Sequence, residues 1–76
     1  MKIEVLGSGC AKCNRLEEMV KATAAELGIP CEIEHVRDIT EIVKRGVMAT
    51  PALVVDGRVV ATGRVPSQAE LAAFLT

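Results

Sequence analysis

The chain has 76 residues, half of them hydrophobic with a single aromatic, Phe74, and its 9 Lys+Arg against 10 Asp+Glu give a formal net charge of −1. That length bounds it to one domain, residues 1–76, which buries only about 60% of the surface its unfolded chain exposes. The composition excludes intrinsic disorder. It also lacks the basic excess and the aromatic platforms of a nucleic-acid binder.

Ile3 to Leu6 is an apolar run closed by Gly7-Ser8-Gly9 and reads as a buried strand with a flexible exit. From Ala11 to Leu27 the period changes. Leu16, Met19, Val20, Thr23, Ala24 and Leu27 fall on one face of an amphipathic helix, and Gly28 and Pro30 stop it. Cys31 to Val36 alternates as a strand. Asp38-Ile39-Thr40-Glu41 resembles a capping box opening a second helix, with Ile39, Ile42 and Val43 expected inward and Gly46 at its end.

Ala52–Val55 and Arg58–Thr62 read as strands joined by Asp56-Gly57, a dipeptide that tolerates the positive φ angles of a two-residue hairpin turn. Ser67-Gln68-Ala69-Glu70 is a second capping box, opening a last helix with Leu71, Phe74 and Leu75. The order is β-α-β-α-β-β-α, an α/β chain with a mixed four-stranded sheet and three helices. Its first β-α-β unit is expected parallel and right-handed, its last two strands antiparallel. No apolar run approaches the roughly 20 residues that span a bilayer, and the start, Met1-Lys2-Ile3-Glu4, lacks the apolar stretch of a secretion signal. The expectation is a cytoplasmic chain with neither a membrane nor a nucleic acid as partner.

Three cysteines do not make a secreted disulfide scaffold, but Cys10 and Cys13 have the C-x-x-C spacing. At a helix start, that spacing brings two side chains to one side, close enough for a disulfide. Unpaired N–H groups and the positive end of the helix dipole favour the thiolate at Cys10. Cys10 is thus the candidate nucleophile and Cys13, deeper in the helix, the resolving thiol. Lys12 adds a nearby positive charge. Gly7 and Gly9 are expected to clear room for a substrate at Cys10.

The set Cys10, Cys13, Cys31 and His35 superficially spells a zinc site. Strand geometry opposes it, because residues four apart in a strand lie roughly 13 Å apart. No bound metal is therefore expected. Cys31 reads as a small buried hydrophobe far from Cys10, and His35 as an exposed edge-strand histidine. Glu4 has two readings. It is either a buried carboxylate of raised pKa that takes a proton from the resolving cysteine, or a residue sharing with Lys2 a face that the helices cover poorly.

The strand, the Gly7-Ser8-Gly9-Cys10-Ala11-Lys12-Cys13 segment, the Val47-Met48-Ala49-Thr50-Pro51-Ala52 segment and the Asp56-Gly57 hairpin together resemble a minimal thioredoxin-like fold. The similarity is to the short thioredoxin- or glutaredoxin-like redox-active disulfide proteins of archaea and bacteria. It implies that Pro51 is the cis-proline facing the dithiol and that the Thr50 backbone pairs with bound substrate. Gly9 and Gly63 would border the substrate groove. It also implies a thiol–disulfide oxidoreductase acting on disulfide-containing proteins, with no bound cofactor and with a flavin-dependent, thioredoxin-reductase-like donor. The alternatives are a glutathione-coupled glutaredoxin and a non-enzymatic module that carries a soft metal between two thiolates.

Overall fold

The structure is a computed structural model that describes residues 1–7 and 11–76; Ser8, Gly9 and Cys10 lie outside the described residues. The elements follow the order β1 (Lys2–Leu6), α1 (Ala11–Leu27), β2 (Glu32–Val36), α2 (Ile39–Lys44), β3 (Ala52–Val55), β4 (Arg58–Thr62) and α3 (Gln68–Leu75). The sheet runs β2-β1-β3-β4. β1 is parallel to β2 and antiparallel to β3, and β3 is antiparallel to β4.

Alternation along β1 and β3 divides the core in two. Ile3, Val5, Leu53 and Val55 face Leu16 and Val20 of α1 and Leu71 and Leu75 of α3. Each fully buried aliphatic side chain there contributes about 1.5–3 kcal/mol of transfer free energy. On the other face Leu6, Val36, Ala52 and Val54 meet Ile42 of α2 and Val47.

The hairpin turn uses positive φ at both Asp56 (48°) and Gly57 (82°), as an Asp-Gly turn requires. The β3–β4 register slips at Leu53/Val54, so Leu53 pairs with Ala61 and Val54 with Val59, leaving Val60 as the extra residue of a bulge. Ser67 and Glu70 close the expected capping box at the head of α3.

Helix α2 departs from expectation. Asp38 caps it by accepting from the Thr40 N–H at 2.8 Å, but only Ile42 turns inward. Ile39 is 75% and Val43 61% exposed. The helix is six residues long, under two turns, so one apolar position is all it lays against the sheet. Cys31 is half-buried against the larger core cluster, not fully enclosed as expected, because it stands just before the edge strand β2.

Candidate active site

Strand β1 delivers the chain to Gly7, and four residues later α1 begins at Ala11 with Cys13 in its first turn. Cys13 is fully buried. Its sulfur occupies the space that a side chain at Gly7 would need: a Cβ built on Gly7 would overlap the Cys13 Sγ and stand 3.8 Å from the Thr50 Cβ. The bareness of Gly7, expected to admit a substrate to Cys10, is therefore used by Cys13. The Gly7 N–H donates to the Val36 carbonyl at 2.9 Å, which fixes this seat to β2.

Thr50 and Pro51 lead into β3 on the far side of Gly7. The Thr50–Pro51 peptide bond is cis. The Pro51 carbonyl accepts from the Gly63 N–H at 2.9 Å, joining the entry of β3 to the exit of β4. Gly63 has φ +69°, and a Cβ there would come within 3.2 Å of the Ala49 Cβ. Cys13, Thr50, Pro51 and Gly63, which are far apart in sequence, thus meet in one neighbourhood. Cys10 and Gly9 fall outside the described residues.

An open groove of about 410 Å³ adjoins Thr50, lined by the outward Ile39 and Val43 of α2 and by Met48. Met48 is almost wholly exposed.

Glu4 corrects one expectation. It points to the α2 face and is buried. Its carboxylate accepts from Arg45 Nη2 at 2.6 Å and from Arg45 Nε at 3.0 Å, a two-point pairing. The Arg45 hydrogen bonds hold the Glu4 carboxyl below its ordinary value, outweighing the upward push of burial. A raised pKa was expected of a proton-accepting Glu4; the guanidinium supplies the opposite. Arg45, which also donates to the Glu41 carbonyl at 2.8 Å, carried no signal in the helix pattern because it caps α2 instead of lying within it.

His35 corrects another. Its side chain is 7% exposed, not solvated. Nδ1 lies 2.7 Å from Glu17 Oε1, and Nε2 lies 3.2 Å from the Gly7 carbonyl oxygen. The alternation of β2 contained this placement, since His35 shares its face with the core-packed Ile33. Glu17 also had a signal: it lies four residues after Cys13, one turn along the same stripe of α1. Cys31 lies at the opposite end of β2 from His35 and remote from Gly7.

The whole chain, residues 1–76, matches the sequence model of a thioredoxin domain. The chain belongs to the thioredoxin family. It is 40% identical over 76 residues to a thioredoxin of Methanothermobacter thermautotrophicus, covering all of this chain and 99% of that one. To a thioredoxin of Methanocaldococcus jannaschii it is 42% identical over 69 residues, which is 91% of this chain and 79% of the relative. Membership identifies the chain as a thiol–disulfide oxidoreductase on the α/β thioredoxin-like fold described above. Among the described residues, no helix is long and apolar enough to cross a membrane.

Proposed function

We propose that this thioredoxin-family chain reduces disulfides in protein substrates through Cys10 and Cys13. The observation that carries the reading is the convergence on Gly7 of the Cys13 sulfur and Thr50, with Pro51 tied to Gly63 beside them. This neighbourhood offers a buried second thiol, the bend that leads into β3 and an adjoining apolar groove.

In the reaction, the Cys10 thiolate attacks one sulfur of the substrate disulfide. A Cys10–substrate disulfide forms, and the other substrate sulfur leaves as a thiolate and takes up a proton. Cys13 then loses its proton and attacks the Cys10 sulfur, releasing the second substrate thiolate. The substrate gains two electrons and two protons, and the protein dithiol becomes a disulfide. Thr50 presents backbone to the substrate chain as an added strand would be received. Gly63 keeps the rim low, Gly9 is a further substrate-binding residue, and the groove beside Met48 receives an apolar substrate side chain. A flavin-dependent reductase in the cytoplasm restores the dithiol. Glu4, already committed to Arg45, is not the proton acceptor in this scheme.

Trapping tests the reading. Cys13→Ser should stall the reaction as a covalent mixed disulfide with protein partners, reversed by dithiothreitol, and Cys10→Ser should trap none. Wild type should reduce insulin with a reductase as donor. Equal trapping by both variants, or insulin reduction that survives Cys10→Ser, would overturn it.

A further inference from the structure

The imidazole of His35 lies between two acceptors. One is Glu17 Oε1, 2.7 Å from Nδ1, and the other is the Gly7 carbonyl oxygen, 3.2 Å from Nε2. A carbonyl oxygen and an ionised carboxylate can only accept. The Lys21 ammonium, hydrogen-bonded to Glu17 at 3.1 Å, holds that carboxyl below its ordinary range more than partial burial raises it, and His35 adds to the lowering. Glu17 therefore stays ionised. The ring thus bridges helix α1, which carries Glu17, and Gly7 at the exit of β1.

The same residue, Gly7, leaves the space that the Cys13 sulfur occupies, where a Gly7 side chain would be. Gly7 is held to β2 at both of its backbone polar groups, its N–H by the Val36 carbonyl and its carbonyl by the His35 ring. Glu17 and Lys21 face the ring from α1. Its register partner on β1 is the apolar Val5. On β2 itself, Glu34 turns to the other face and pairs with Lys2, and Arg37 lies exposed beyond the strand.

We infer that His35 is a positioning residue for the dithiol: its ring ties Glu17 of α1 to the Gly7 carbonyl and so fixes the seat of the Cys13 sulfur. The inference rests on the reading that Cys10 and Cys13 are the working couple. Forming the disulfide moves the Cys13 sulfur within that seat, so a ring tied to the seat responds to the oxidation state of the couple.

The test compares wild type with His35→Gln, which keeps a hydrogen-bonding side chain but loses the ring that spans Glu17 and the Gly7 carbonyl. Thiolate formation in the reduced proteins is followed by ultraviolet absorbance across pH. The profile should shift in the variant, because the seat of the Cys13 sulfur is no longer tied to Glu17 through the ring. A coincident pH profile in a folded variant overturns the inference. Ring-nitrogen NMR of wild type needs no substitution: the His35 nitrogen resonances should move when the disulfide forms, and resonances that stay fixed overturn it equally. Mass analysis of the same oxidised sample separates the two readings. If the Cys10–Cys13 disulfide forms and the ring does not respond, only the role of His35 fails. If no such disulfide forms, the couple itself is wrong and this inference falls with it.

Discussion

The sulfur of Cys13 fills the volume that any side chain at Gly7 would claim. Gly7 cannot take a side chain while that sulfur keeps its seat. The conflict at Gly7 is purely steric, because its φ is not among the positive values.

Gly7→Ala should therefore destabilise the protein by about 1–3 kcal/mol, the cost of overpacking a closed site. It should also slow disulfide formation, because the first turn of α1 must shift to free the sulfur. Urea denaturation and the rate of oxidation by a disulfide reagent measure the two effects. Normal values of both would mean that Cys13 can turn aside at no cost.

Arg45→Met leaves the buried Glu4 carboxylate without its two-point partner. The expected loss is about 2 kcal/mol, the range of a hydrogen bond to a charged group. Since the folded pKa of Glu4 lies below its unfolded value, the pairing contributes fully above about pH 4.3 and is lost as pH falls through the lowered value. Wild type should thus lose stability on acidification more steeply than Glu4→Gln. Parallel stability curves for the two across that acid range would contradict the assignment.

Ser67→Ala removes the side chain that accepts from the Glu70 N–H at 3.2 Å. It should cost about 1 kcal/mol. Because the cap serves α3, which supplies Leu71 and Leu75 to the core, thermal stability should fall while the redox potential stays constant. A changed potential would show that α3 communicates with the couple.

Cys31→Ala should leave the potential and the rate of disulfide exchange unchanged. Cys31 stands at the start of β2, while Gly7 follows the end of the parallel β1, so a strand length separates them. Its half-buried thiol has little packing to lose. A folded Cys31→Ala protein with reduced exchange activity would place the third thiol in the reaction.

The elements were legible because each is marked locally: Gly28 after α1, Asp56-Gly57 in the hairpin, Ser67 with Glu70 at α3. The meeting of Thr50, Pro51 and Gly63 with Cys13 followed from the resemblance, since nothing in their spacing brings them together. What escaped were tertiary pairings. Glu4 meets Arg45 across 41 positions, and His35 meets Glu17 across 18. Periodicity shows which face a polar residue occupies but not which side chain answers it. Ile39 and Val43 misled for a related reason: apolar spacing marks a helix face, while the length of the helix decides how much of it finds a core.

The strand order has a consequence for a chain still being synthesised. β1 is interior to the sheet, and its antiparallel neighbour β3 lies some fifty residues later. A chain interrupted after Gly46 holds both motif cysteines, α1 and the parallel β1–β2 pair. It lacks Thr50, Pro51 and Gly63, and Val5 has no Leu53 beside it. The thiols are thus made early and their surroundings late. Until the last strands arrive, a nascent or truncated chain carries Cys13 without the Thr50, Pro51 and Gly63 that surround its seat in the finished fold.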